Sequence, residues 1–431
     1  MRCLLCVVWG VVALGWLVTF AGGRVGAGAA GRRVRTGFFR EQWAERDGQA
    51  TDTGGRFLRV NDARIALHRY FGTRRETRSP GLLLVPLNED LFGLRAAELY
   101  LELWGGHPHT ASKRFWLNGR GPYELPETGT EQGHCTYSYP VVALTVSHLV
   151  PGTNAFQFAC DRGESFWGHF IIDNACVRAY LEPDHPDLQK VGLTGFSAGV
   201  SVPDILGDDV PVRLDCRTES LDAVQSVDYY ARYTGFDDDG DGTESEWHGF
   251  TFKREPMNHV GTAECPPFTV RWDTRMIPTQ AEPMALRAVV HLRDGFRYAS
   301  EPVGGLTFRD GRPRVVLHGC GQPPAPFWSR AGHPKTATIR LPEDLPPVER
   351  AQLLVKVWDG GGGEVEEPFA LNGHPYDVLS GRAYHDVVFT RAEVPPHQLR
   401  PGANEVRVLS DTEHHGIEVL YPGPCLLVRY R

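Results

Sequence analysis

The sequence predicts an all-β chain that folds as three β-sandwiches. Turn-forming residues are abundant, with 48 glycines and 32 prolines among 431 residues. Apolar side chains alternate with other residues, as in Leu99, Leu101 and Leu103, which is the period of a strand with one buried face. One segment also recurs on both sides of a middle segment. The expected order is therefore one sandwich, a different sandwich, and a second copy of the first.

The repeat consists of short matches that stay in the same order along the chain. They pair Ala97–Trp104 with Ala351–Trp358, Phe115–Gly119 with Phe369–Gly373, and Leu149–Asn154 with Leu399–Asn404. In the second copy, Leu353, Val355 and Val357 alternate as the leucines of the first copy do. So many ordered matches indicate two copies of one domain.

Turn motifs specify how the strands of each copy connect. Asn118-Gly119 and Asn372-Gly373 follow apolar strands and predict hairpin turns. Pro-Gly-x-Asn before Ala155 and before Glu405 predicts a tight turn that leads into the next strand. Antiparallel strands of this length close most economically as a two-sheet jelly roll.

These motifs resemble those of the galactose-binding-like jelly-roll domains attached to many glycoside hydrolases. The residues that carry the resemblance are Leu117–Gly119 with Leu149–Asn154, and Leu371–Gly373 with Leu399–Asn404. The resemblance implies a jelly roll and a carbohydrate-related role without a catalytic domain. It does not specify the ligand, because the same turn residues are needed to build the sandwich.

The middle segment reads as a series of short strands. In it, Trp272-Asp-Thr274 precedes the strand Ala285–Leu292, and this resembles bacterial immunoglobulin-like domains. About a hundred residues suits such a sandwich. The fold class predicted is all-β, with two jelly-roll β-sandwiches flanking an immunoglobulin-like β-sandwich. Cys216 and Cys265 are candidates for a disulfide within the middle sandwich.

The expected domain boundaries follow from these assignments. They are a signal peptide or membrane anchor at 1–30, an N-terminal extension at 31–79, the first jelly roll at 80–181, a connector at 182–202, the immunoglobulin-like sandwich at 203–310 and the second jelly roll at 311–431.

The N-terminus predicts export. An apolar run from Cys3 to about Gly23 precedes Ala27-Gly-Ala29, which suits a secretory signal, although the run is long enough for an uncleaved anchor. Arginines follow the run, which is unusual for an exported chain. Seven cysteines remain beyond it, an odd number. A net charge of -8 without basic runs argues against a nucleic-acid partner. We expect a secreted or envelope-anchored protein.

An acidic loop in the middle segment predicts a structural Ca²⁺ site. Its aspartates occupy the first, third and fifth positions, with glycine at the sixth, as at the start of a calcium loop. The twelfth position holds His248 instead of a bidentate glutamate, and the eighth holds Glu244. The alternative is a solvated acidic hairpin tip. The predicted ligands are Asp237, Asp239, Asp241, Thr243 and Glu246.

A polar loop with a ring side chain recurs near the end of each copy. Such loops at the rim of a sandwich suit a sugar site, in which polar groups bond hydroxyls and a ring stacks on the pyranose. The alternative is that the aspartate caps a turn and the ring packs on the sandwich edge. The predicted ligand-binding residues are Asp161, Glu164, Trp167 and His169 in the first copy, and Asp411, Glu413, His414 and His415 in the second.

Gly195-Phe-Ser197-Ala-Gly199 matches the nucleophile elbow of α/β-hydrolases. The match lacks the required helix, because Gly199-Val-Ser-Val-Pro203 is β-branched and ends in proline. The sequence therefore favours a non-catalytic protein that binds carbohydrate or another envelope component. The alternatives are an adhesion module without a sugar site and, remotely, a serine hydrolase that uses Ser197.

Overall fold

The computed structural model describes residues 35–44, 58–60, 81–106, 110–126, 133–161, 169–380 and 386–431. The elements discussed below all lie in one compact unit, Thr36–Arg431. They are almost entirely strands, which confirms the predicted all-β sandwich class. Within these residues, no helix is long and apolar enough to cross a membrane. The predicted leader at 1–30 lies outside the described residues.

Thirty-two strands and one short α-helix make up the described part of the chain. The first repeat and the strands before it contain β1 (Gly37–Trp43), β2 (Leu58–Val60), β3 (Leu82–Leu87), β4 (Leu94–Trp104), β5 (Ala111–Leu117), β6 (Arg120–Glu124), β7 (Tyr137–Ser138), β8 (Val141–Leu144), β9 (Gly152–Asp161) and β10 (Phe170–Leu181). The middle segment contains α1 (Pro186–Lys190), β11 (Ala198–Ser201), β12 (Ile205–Leu206), β13 (Asp209–Cys216), β14 (Val224–Thr234), β15 (Ser245–His248), β16 (Phe250–Phe252), β17 (Glu255–Met257), β18 (Gly261–Ala263), β19 (Thr269–Asp273), β20 (Met284–Leu292), β21 (Phe296–Ala299) and β22 (Val303–Phe308). The second repeat contains β23 (Val315–Gly319), β24 (Trp328–Ser329), β25 (Lys335–Leu341), β26 (Val348–Asp359), β27 (Phe369–Leu371), β28 (His374–Pro375), β29 (Asp386–Glu393), β30 (Gly402–Val408), β31 (Ile417–Val419) and β32 (Cys425–Tyr430).

Each of the three segments encloses its own apolar core between two sheets. In the first repeat, the sheet β3-β9-β5-β6 covers strands β4, β8 and β10. In the second, the sheet β25-β30-β27-β28 covers the sheet that contains β26 and β32. The middle core lies between β11-β13-β19 and strands such as β14 and β20. The alternation predicted in β4 and β26 is confirmed, since Leu99 and Leu353 are completely buried in their respective cores.

In each repeat, an equivalent pair of asparagines links two turns. Asn118, at φ 51°, donates its side-chain amide to Asn154 Oδ1 at 2.9 Å, and the Ala155 amide donates to Asn118 Oδ1 at 2.8 Å. In the second repeat, Asn372, at φ 52°, donates to Asn404 Oδ1 at 2.8 Å. The Asn-Gly and Pro-Gly-x-Asn motifs therefore work together, because one asparagine from each forms the bond between the two turns.

Strand β1 joins the first and middle sandwiches into one continuous sheet. It pairs antiparallel with β10 on one side and with β21 on the other. The sheet therefore passes without interruption from one sandwich to the next. Residues 182–202, expected to be a connector, contribute α1 and β11 to the middle segment, and Leu188, Phe196 and Val200 lie in its core.

The hairpin β16-β17 packs on the outer face of the first repeat. Glu102 on β4 is completely buried there, and its carboxylate accepts hydrogen bonds from the backbone amides of Lys253 (3.0 Å) and Arg254 (2.8 Å) at the hairpin turn. The side chains of Thr251 and Asn174 donate two more, at 2.7 and 2.6 Å. The face of β4 that points away from its core is therefore also buried.

The seven cysteines among the described residues form no disulfide bond with one another. The bridge considered between Cys216 and Cys265 is therefore not formed. Cys216 is half-buried at the end of β13, where it pairs with Ala198 of β11, whereas Cys265 is exposed beyond β18.

Candidate metal centre and rim sites

The acidic loop between β14 and β15 is folded around its own carboxylates. Asp237 accepts hydrogen bonds from the amides of Asp241 (3.1 Å) and Gly242 (2.8 Å). Asp239 accepts a weaker one from Asp241, at 3.3 Å. Gly240 and Gly242 have φ of 67° and 83°, a conformation that residues with a Cβ rarely adopt. The alternating aspartates and glycines therefore suit this tight turn.

The loop is buried only in its first half, so it is not a fully solvated hairpin tip; Asp241, Gly242, Glu244 and Ser245 are exposed. Asp237 and Asp239 are only 3% and 5% exposed. Gly240 lies against the second repeat, where a Cβ on it would come within 3.0 Å of the Tyr421 carbonyl oxygen. The same Cβ would lie 3.6 Å from Thr136 Cγ2 of the first repeat. Residues of both repeats therefore lie against the first half of the loop.

A buried lysine supplies part of the positive charge that the loop needs. Lys356, on the outer face of β26, is 1% exposed and donates to the carbonyl oxygens of Asp238 (2.5 Å) and Tyr137 (3.0 Å). Burial lowers the pKa of Lys356, while the neighbouring carboxylates oppose that change. Its single charge cannot balance several ionised carboxylates in a site of low polarity.

Three of the five predicted metal ligands converge. One carboxylate oxygen each from Asp237, Asp239 and Glu246 lies within 4.8 Å of the others. Because Ca²⁺–oxygen bonds are about 2.3–2.6 Å, oxygens on opposite sides of one ion are roughly 5 Å apart. This acidic group could therefore hold a metal ion. Asp241 is exposed and its Oδ1 accepts from the Thr243 amide at 2.7 Å, so the carboxylate of Asp241 lies outside this converging group.

The converging carboxylates hold protons that ordinary carboxylates would lose. Burial, and after it the charge of Asp239, raises the pKa of Asp237 to about 7. The same two causes raise the pKa of Glu246 to about 10. A dication would neutralise the charge that burial disfavours, so its binding must compete with protons at these two groups.

The two described rim residues of the first copy, Asp161 and His169, contact their own sandwich. Asp161 ends β9 and forms an ion pair with Arg114, whose Nη2 lies 3.0 Å from Asp161 Oδ1. A hydrogen bond from Ser112, and then Arg114, lower the pKa of Asp161. The ring of His169 is nearly buried, with its centroid 5.4 Å from that of Trp104. Glu164 and Trp167 lie outside the described residues.

In the second copy the rim residues divide into two groups. Asp411 accepts a hydrogen bond from the Glu364 amide at 3.1 Å, and the His415 ring lies 6.0 Å from that of Trp358. Both residues contact their own sandwich, although both are exposed. Glu413 and His414 are exposed, and Glu413 lines a cleft.

That cleft has a volume of about 510 Å³ and combines an aromatic ring with charged groups. Its lining includes Trp328, Arg330, His333, Lys335 and Glu413. The Arg330 guanidinium lies 4.8 Å from the centre of the Trp328 ring, which fixes both side chains at one wall. The sequence predicted Glu413 but missed the other residues, because β24 and the turn after it carry no motif.

Ser197 does not have the geometry of a nucleophile elbow. It is exposed in the loop that leads into β11, and α1 comes before it instead of after it. An elbow requires the opposite order, with a strand before the serine and a helix after it. The sequence G-x-S-x-G therefore occurs here between a helix and a strand, and not in the strand–turn–helix arrangement of an elbow.

No family model and no curated protein matches the chain. Solved structures do show a distant likeness. A β-porphyranase of glycoside hydrolase family 86 from Bacteroides plebeius shares 14% identity over 54% of this chain and 36% of its own, with a TM-score of 0.23. The matched part is thus about a third of that enzyme's length.

Two further structures match over more of the chain. A candidate membrane-anchored protein from Corynebacterium diphtheriae shares 9% identity over 92% of this chain and 87% of its own, with a TM-score of 0.14. An exo-β-1,3-galactanase from Phanerochaete chrysosporium, solved with galactose, shares 8% over 80% and 78%, with a TM-score of 0.18. Likeness at this level leaves the function to be argued from the residues.

Proposed function

We propose that this protein is a non-catalytic binding protein that recognises carbohydrate at the rim of its second repeat. The observation that carries the proposal is the cleft of about 510 Å³ beside Glu413, where an indole and several hydrogen-bonding groups meet. Sugar sites combine an aromatic surface with polar groups that fix the hydroxyls.

The charges of the cleft favour a saccharide with acidic groups. Arg330 and Lys335 contribute two positive charges, and Glu413 contributes one negative charge. The guanidinium is suited to a carboxylate or sulfate group, which it binds with two parallel hydrogen bonds. Glu413 is then available to accept hydrogen bonds from hydroxyl groups.

A glycan array that includes uronate-containing and sulfated saccharides tests this proposal on the full chain. Trp328→Ala should abolish binding, whereas Trp116→Ala, which changes a half-buried indole in the first repeat, should leave it unchanged. Absence of binding by the folded wild-type protein would contradict the proposal and favour the adhesion module. Equal loss in both variants would also contradict it, because the cleft would then have no special role.

We also propose that the acidic loop binds one structural Ca²⁺ through Asp237, Asp239 and Glu246. The convergence of buried carboxylates supports a hard dication. Chelation should lower the melting temperature of the wild-type protein, and Asp239→Asn should remove that difference. Asp294→Asn, at an exposed turn, is the matched control and should retain it. A wild-type melting temperature that does not respond to chelator would refute the calcium site.

We further propose an exported protein in which jelly rolls at 80–181 and 311–431 flank an immunoglobulin-like sandwich at 203–310. The three separate apolar cores support the three-part division. The apolar run Cys3–Gly23 supports export. Fusion of residues 1–30 to a reporter enzyme, followed by cell fractionation, tests the export; a reporter that stays in the cytoplasm would contradict it.

A further inference from the structure

We propose a second cation position beside the acidic loop, held by Asp238, Glu246 and His248, which takes a divalent transition metal of the zinc type. One ligand atom from each residue lies within 4.8 Å of the others. Imidazole nitrogen together with carboxylate oxygen is a ligand set that suits Zn²⁺ or Co²⁺ better than Ca²⁺.

His248 is oriented as metal-binding histidines are. Its side chain is 3% exposed, and its ring stacks on Tyr233 with the centroids 3.7 Å apart. Nε2 lies 2.9 Å from the Tyr233 carbonyl oxygen, an acceptor, so Nε2 carries the proton. With Nε2 donating to this carbonyl, the lone pair of Nδ1 faces Asp238, and a backbone carbonyl that accepts from the other ring nitrogen is typical of histidines that bind a metal.

The distance between His248 and Asp238 also fits a shared metal better than a direct ion pair. Nδ1 lies 3.4 Å from Asp238 Oδ2, beyond the 2.7–3.2 Å of a good hydrogen bond. In the same protein, His291 and Asp228 make a direct contact at 2.6 Å. Two ligands of a tetrahedral metal with bonds of about 2.1 Å are roughly 3.4 Å apart. With the proton on Nε2, neither Nδ1 nor Asp238 Oδ2 can donate to the other, so a cation between them would be held by both.

A cavity gives this position access from outside. Its volume is about 240 Å³, and Asp238, His248, Asn258 and His259 are among the residues that line it. Asn258 donates to Asp238 Oδ2 at 2.5 Å and so helps to hold that carboxylate in place. Three protein ligands leave a coordination position open, and the cavity has room for a water molecule there.

The second position does not depend on the proposed calcium site. The two groups share only Glu246, and Asp238 and His248 belong to the second alone. A carboxylate with two oxygens can bridge two metal ions, so both positions can be filled together.

Titration of the calcium-saturated full chain with Co²⁺, followed by visible absorption, tests the proposal. We expect one equivalent of Co²⁺ with the intense band of a four-coordinate ion, and its displacement by Zn²⁺. His248→Gln should weaken this binding at least tenfold. His259→Gln, which changes a histidine of the same cavity that contacts Thr262 at 2.8 Å, should retain it. Absence of the band in the wild type, or equal affinity in His248→Gln, would overturn the proposal.

Two further measurements separate this site from folding effects and from the calcium site. In the wild-type protein, nitrogen NMR should show that Zn²⁺ shifts Nδ1 of one histidine; a protonated Nδ1 in His248 that does not respond to Zn²⁺ would refute the site. Asp239→Asn should lose Ca²⁺ and still bind Co²⁺. If Co²⁺ binding fails in the wild type while Ca²⁺ binding persists, the second position is refuted and the calcium site stands.

Discussion

Calcium binding to the acidic loop should release protons, and the number released should fall as the pH rises. The pKa of Asp237 is raised to about 7 and that of Glu246 to about 10, because both carboxyls are buried beside Asp239. In the metal-free protein these groups therefore keep protons that Ca²⁺ must displace. The test compares Ca²⁺ binding to the wild-type protein at two pH values, so it needs no substitution.

The expected numbers follow from the two pKa values. At pH 6, Asp237 and Glu246 are both largely protonated, so binding should release nearly two protons. At pH 8, Asp237 is mostly ionised and Glu246 is still protonated, so the release should be about one proton. The apparent affinity should therefore rise more steeply with pH near pH 6 than near pH 8.

The same pKa values give the sign of the effect on stability. Both folded-state pKa values lie above the ordinary values of 3.8 and 4.5, so the folded metal-free protein binds more protons than the unfolded chain. Its stability should therefore fall as the pH rises from about 5 to 8. The calcium-saturated protein should lack this loss, since the carboxylates are ionised in both states.

Isothermal titration calorimetry in two buffers with different heats of ionisation measures the proton count directly. Asp294→Asn is the matched control and should give the wild-type counts. A release below about 0.5 protons at pH 6, or equal counts at pH 6 and pH 8, would refute the proposed protonation of the metal-free loop.

Further expectations concern single side chains. Asn118→Ala and Asn372→Ala should each lower the free energy of unfolding by about 2–4 kcal/mol, measured with urea, because each leaves buried turn groups unpaired; a loss below about 0.5 kcal/mol would contradict the role of the asparagine pair. Glu102→Gln should lower the free energy of unfolding by about 2–3 kcal/mol and speed hydrogen exchange at the Arg254 amide, because the amide side chain has only one oxygen that accepts where the carboxylate has two. Unchanged exchange would contradict the role of Glu102 in holding the hairpin turn. Ser197→Ala should leave any acyl-ester hydrolysis unchanged, and a loss of activity in this variant alone would restore the hydrolase interpretation.

The sequence predicted the parts of the fold that depend on neighbouring residues. Alternation in β4 and the Asn118-Gly119 turn are local patterns, and both predict what the backbone does there. It could not predict the burial of the acidic loop, since the residues that cover it, such as Lys356 and Tyr421, are more than a hundred positions away. For the same reason Glu102 resembled a solvent-facing position between buried leucines.

The cation group was predicted in part for a similar reason. The spacing of Asp237 and Asp239 is typical of a calcium loop, but it also suggested Asp241, which is exposed and lies outside the converging group. His248 stood at the twelfth position and counted as a departure from the calcium pattern. Only the distance of its Nδ1 from Asp238 and the partner of its Nε2 indicate another role.

Glu102 and Lys356 occupy equivalent places in the duplicated domain and carry opposite charges. The anion receives the amides of the β16-β17 turn, and the cation donates to the carbonyl of Asp238 in the acidic loop. The first copy therefore binds backbone N–H groups with an anion, and the second copy binds a backbone carbonyl with a cation. Exchanging Glu102 and Lys356 would place each charge against groups of its own polarity, so the two copies are not interchangeable at this position.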